Sequence, residues 1–165
     1  MADLTNLETK LGEVTGLAMA AQAATEKVMA LAEKEQETDL VSTLRRMHEE
    51  AAQTEQRCTE LAGAFDGKKT AILEEARTTK GKGAEMMKTY LDGDSDTLDG
   101  FEFLTMAEAG EVGHWSVLAA MNSQANHAEV GSLVKWALPI QQRHLSDVME
   151  ASVELAGDED PDETA

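Results

Sequence analysis

One stripe constrains this chain more than anything else in it. Leu40, Leu44, Met47, Ala51, Thr54, Cys58, Leu61 and Phe65 follow one another in alternating steps of four and three without a gap. That spacing places successive side chains along one side of an α-helix. A β-strand cannot use it, because side chains on a strand change face at every residue. A helix of this length with a single apolar seam has to lay that seam against other helices.

The remainder of the chain supplies them. Leu4, Leu7, Leu11, Val14, Ala18, Ala21 and Val28 line a first helix that ends near Glu33, and Thr38-Asp39 is the expected cap of the second. After a turn at Asp66-Gly67, residues Ile72, Ala76, Met86, Met87 and Tyr90 mark a third helix whose stripe is diluted by Gly81 and Gly83. The polar stretch Leu91-Asp92-Gly93-Asp94-Ser95-Asp96 is a loop. It lacks the glycine and the distal glutamate that a calcium loop places at fixed offsets. A fourth helix runs from about Leu98 to Met121, and a turn over Asn122–Asn126 leads to a last one that reaches about Leu155. Pro139 falls inside this last helix, which must either kink there or break into Val130–Leu138 and Ile140–Leu155. Residues 1–156 therefore read as one all-α domain, a ferritin-like antiparallel four-helix bundle with an extra or broken helix. Residues 157–165 are too acidic and too poor in apolar groups to pack, and read as a disordered tail.

Charge narrows the partners. The 32 Asp and Glu against 14 Lys and Arg leave a net charge of −18 over 165 residues, which repels nucleic acid and anionic lipid. Such a surface also suits a high-salt cytoplasm. The lone Cys58 lies on the apolar seam, as expected of a buried thiol in a reducing compartment. Neither a basic leader nor a membrane-spanning apolar run appears, so the expected location is the cytoplasm, without membrane association. Exposed apolar helix faces would make a homodimer the natural assembly.

A few polar residues break the seams, and these carry the functional reading. Glu111 stands on the face formed by Leu104, Ala107, Trp115 and Leu118, where an unpaired carboxylate is costly. His114 follows one turn later, the spacing by which bundle helices present a Glu-x-x-His pair to a metal. In the last helix Gln141 and His144 repeat that spacing with a neutral amide in place of the acid. Glu26 in the first helix and His48, Glu49 and Glu50 in the second lie near enough to their stripes to point partly inward, or else flank them in water. Trp115, Trp136 and the nine methionines read as core filling. No nucleophile motif, phosphate-binding glycine loop or nucleotide motif is present.

The stretches Thr25-Glu26-Lys27, His48-Glu49-Glu50 with Thr54-Glu55-Gln56-Arg57, and Glu111-Val-Gly-His114 resemble the YciF-type stress-associated ferritin-like family over most of residues 14–156. That resemblance implies two helical hairpins framing a carboxylate and histidine metal site. Its ligands would be Glu26, Glu50 or His48, Glu111, His114 and His144. Where the family carries Glu-His-Tyr-Glu, this chain looks like Glu111-Val-Gly-His. An acidic run in the last helix is replaced by Gln141-Gln142-Arg143-His144. A two-iron site would be altered accordingly, toward a single ion of zinc, iron or copper. The resulting expectation is a stress-associated protein binding a metal ion, iron or zinc, with weak oxidative chemistry. Its alternative is a metal-free bundle acting as a structural or interaction module.

Overall fold

The computed structural model describes residues 2–164, and among them the secondary structure is entirely helical. The helices are α1 (Asn6–Lys34), α2 (Thr38–Ala62), α3 (Lys69–Tyr90), α4 (Thr97–Ala125) and α5 (Ala128–Gly157). None is long and apolar enough to cross a membrane.

Local chemistry fixes where the helices begin and end. Thr5 and Glu8 form a reciprocal capping box on α1, and Asp96 and Asp99 form another on α4. The α4–α5 turn is closed by Asn122, whose side chain accepts from His127 N and donates to His127 O, both at 3.1 Å. Asn126 takes the left-handed conformation there (φ 53°), and His127 Nδ1 accepts from Val130 N to cap α5. At the start of α2, Glu37 is the cap and makes no side-chain capping bond, unlike the expectation for Thr38-Asp39. Helix α5 passes through Pro139 without a break, so the five helices do not include a fragment of the last.

Two antiparallel hairpins, α1–α2 and α4–α5, pack against each other, α1 on α4 and α2 on α5. Gln22 meets Glu55 across the first hairpin, and Gly100 meets Val28 between the hairpins. Along the α2–α5 seam, Arg46 pairs with Asp147, Glu50 with Arg143, and the Arg57 guanidinium lies 4.1 Å from the centre of the Trp136 ring. Helix α3 joins the hairpins and runs parallel to α1. Gly12 lies against Ile72 and Glu75, Gly16 against Ala76 and Thr79, and Gly83 against Ala20. It hardly touches α4.

The core is split in height. One apolar cluster holds Leu11, Val14, Cys58, Leu61, Ile72, Trp115 and Leu118, with Val130 to Ala137 of α5. The other holds Val28, Leu44, Met47, Phe101, Leu104, Val148 and Ala151. Between them, at mid-height, the inward positions are Thr54 on α2, Glu108 and Glu111 on α4, and Gln141 and His144 on α5, all buried. These side chains therefore form a polar layer clamped between two hydrophobic half-cores.

Candidate functional site

The layer is built by two helices whose seams turn polar at matching heights. On α4 the buried series Thr97, Phe101, Leu104, Glu108, Glu111, Trp115, Leu118 keeps the four-three rhythm throughout, and on α5 Val134, Ala137, Gln141, His144, Val148, Ala151 does the same. The facing positions of the other hairpin are small. Ala51 and Thr54 on α2 leave room for the long side chains opposite, and Thr54 turns its hydroxyl back to donate to Glu50 O.

Glu108, Glu111, Gln141 and His144 are 1%, 3%, 1% and 2% exposed, so every charge among them needs a partner inside the protein. His144 links Glu108 to a carboxylate of the other hairpin, Glu50. Its Nε2 lies 2.5 Å from Glu50 Oε2, and its Nδ1 lies 3.6 Å from Glu108 Oε2. Glu50, half-buried on α2, also takes Arg143 Nη2 on its other oxygen at 2.5 Å. Gln141 faces Glu108 and Glu111, and its amide has two orientations of opposite meaning. With Nε2 toward α4 it donates to Glu108 Oε2 at 3.1 Å and to Glu111 Oε2 at 3.2 Å. With Oε1 toward α4, three oxygens confront one another, which only a proton or a cation among them relieves.

Electrostatics follow from this crowding. Burial drives the Glu111 carboxyl well above its ordinary range, and the adjoining Glu108 charge pushes it further. Burial works to lower the His144 pKa, but the carboxylates of Glu108 and Glu50 outweigh it and hold the imidazole above its usual value. For Glu50, burial would raise the carboxyl, yet His144 and Arg143 bring it below the usual range. With Glu111 carrying its proton, the carboxylates of Glu50 and Glu108 face the cations Arg143 and His144, and the layer is balanced. Below it, burial lifts the Cys58 thiol to about 12, opposed by a hydrogen bond with Thr15 and helped by the charge of Glu55.

Stability should therefore peak in mild acid. The folded-state values of His144 and Glu111 lie above the ordinary 6.5 and 4.5, so their contributions are present at low pH and are lost as pH climbs through the folded values. Glu50 and Glu13 lie below 4.5, so theirs are present above that value and are lost as pH falls through the folded ones. The expected thermal midpoint declines from mildly acidic to alkaline pH, more shallowly in Glu111→Gln. Equal slopes in the two proteins would contradict the proton assigned to Glu111.

The residues singled out in the sequence fall in three places. Glu50, Glu111 and His144 come together in the layer. His114 is half-buried but turns toward α1, where its Nδ1 lies 3.2 Å from Glu13 Oε2 and 3.3 Å from Lys10 Nζ, and where Lys10 also pairs with Glu13. His48 donates from Nδ1 to the Gln22 carbonyl at 3.0 Å, which ties it to the outside of the first hairpin. Glu26 and Glu49 are exposed. The sequence reading missed Glu108, having stepped from Leu104 to Ala107. The strict four-three rhythm through Phe101, Leu104 and Glu108 was the signal that identifies it. Glu13 and Lys10 carried no such signal.

Among the described residues, no three His, Cys, Asp or Glu side chains stand together as a ready ligand group for a metal ion. The third polar neighbour of Glu108 and Glu111 is the Gln141 amide. Comparison with protein-family models, curated proteins and solved structures finds no match to this chain.

Proposed function

We propose that this chain is a ferritin-like, stress-associated bundle whose polar layer takes up a divalent metal ion, iron or zinc. The observation that carries this reading is the abutment of Glu108 and Glu111 in the interior with the Gln141 amide across from both. Two carboxyls side by side in a dry core share a proton at neutral pH, and a cation that displaces it meets oxygen donors on both sides. Glu108, Glu111 and Gln141 would hold the ion, with His144 as a nitrogen donor once it is freed of its second proton and of Glu50. An oxygen-rich set with one imidazole suits zinc or ferrous iron, and such an ion supplies Lewis acidity or, for iron, one-electron redox chemistry. Glu26, His48 and His114 stand outside this set.

The metal-free alternative is favoured by a different observation, the balance of Glu50 and Glu108 by His144 and Arg143. In that reading the layer is internally satisfied and serves the scaffold. Zinc and iron(II) titrations of chelator-treated protein separate the two, with Glu111→Gln as the control because glutamine keeps the shape of the protonated acid. The expected result is one ion per chain with a rise in thermal midpoint, both lost in the control. Binding of equal strength in the two proteins, or none in either, would refute the metal reading.

A further inference from the structure

The space between α1, α3 and α4 is a second feature of the same level of the bundle. Helix α3 is drawn onto α1 through Gly12, Gly16 and Gly83 but stands off from α4, and the wedge that opens is a cavity of about 190 Å³. Its walls are apolar, formed by Leu17, Ala24, Met87, Phe103 and Met106 among others, and Glu108 and Glu111 line it as well. Both carboxyl groups use Oε2 in the layer, and their Oε1 atoms have no hydrogen-bond partner among the described residues. Exposed Lys80 and half-buried His114 also line it, and Glu108 and Glu111 are its least accessible charged residues.

We propose that this cavity binds a small amine, an apolar body carrying one ammonium head that reaches the free oxygens of Glu108 and Glu111. The volume is the first argument, since an apolar cavity of roughly 150 Å³ already accepts benzene, and the space here adds room for a short side arm. The order of polarity is the second. A carboxylate ligand anchored on Lys80 would press its hydrocarbon end against buried carboxyls, whereas an amine entering head first pairs its charge with them and leaves its apolar part among Met87, Phe103 and Met106. Overall charge is the third, because a chain of net charge −18 gathers cations and turns anions away.

The proposal stands beside the metal reading and is tested on chelator-treated full-length protein, so that failure of one does not decide the other. Phenethylamine, phenethyl alcohol and hydrocinnamate are compared by ligand-observed NMR and equilibrium dialysis. The amine is expected to bind about tenfold tighter than the alcohol, the gain of one charge-assisted hydrogen bond, and hydrocinnamate more weakly than either. Glu108→Gln, which removes the charge of the pair, should reduce the amine toward the affinity of the alcohol, and Glu111→Gln, which replaces a protonated acid, should reduce it less. Ala107→Phe fills the cavity from α4 and should abolish binding of both, and Ala84→Phe does so from α3 should the first variant not fold. Equal affinities for amine and alcohol, tightest binding of hydrocinnamate, no saturable binding, or binding that survives both filled cavities would overturn it.

Discussion

His144→Ala is expected to lower unfolding free energy by about 3–5 kcal/mol, the range for removing one partner of a buried charge pair. The imidazole reaches Glu50 with one nitrogen and Glu108 with the other, and it is 2% exposed. Its loss leaves Glu50 with Arg143 alone and leaves Glu108 in the dry layer without a cation, beside a second carboxyl. Urea denaturation at neutral pH reads this directly, and a loss below about 1 kcal/mol would show that the layer is wetter than its burial implies. Replacing His144, Glu108, Glu111 and Gln141 together by leucine is expected to be far less harmful than the single change, since an apolar layer of similar volume carries no unpaired charge or amide. That asymmetry, if measured, would mean that stability alone does not account for these groups.

Gly16→Val is expected to lose about 3 kcal/mol, at the upper end for overpacking. A Cβ at this position would fall 2.3 Å from Ala76 O and 2.7 Å from Thr79 Cβ. The first of these is backbone and does not swing aside, so α3 must move away from α1. Because α3 is also a wall of the cavity, the same variant should weaken amine binding. Gly81 is the control. It lies on the exposed side of α3 with nothing within 4 Å of a Cβ there, and Gly81→Ala should stabilise by up to about 1 kcal/mol from helix propensity alone. If both substitutions had the same sign, the close α1–α3 approach would not be the feature that positions α3.

What was legible beforehand follows from which signals are local. The helices were legible because each carries its own seam, and the break-or-kink question at Pro139 was resolved by packing on both sides of the proline, which a sequence pattern does not contain. Glu111 and His144 were legible as polar interruptions of apolar seams, and burial with mutual partners is where the structure places them. His114 was noticed for its spacing. Spacing of one turn from Glu111 puts it near that face, but the helix carries it round far enough for Lys10 and Glu13 of α1 to capture it. The link from Glu50 to Arg143 and His144 joins residues 93 and 94 positions apart. Nothing local marks such a pairing, nor the wedge left where α3 leans on α1 instead of α4.

The most direct test of the polar layer as a metal site is the ring nitrogen signal of His144 in ¹⁵N-labelled protein, followed as zinc is added at neutral pH. Before zinc, both ring nitrogens should appear protonated, as the neighbouring Glu50 and Glu108 require. On addition of one equivalent, one nitrogen should lose its proton and move to the position of a metal-bound imidazole. Zinc that binds the protein while both His144 nitrogens keep their protons would contradict the account.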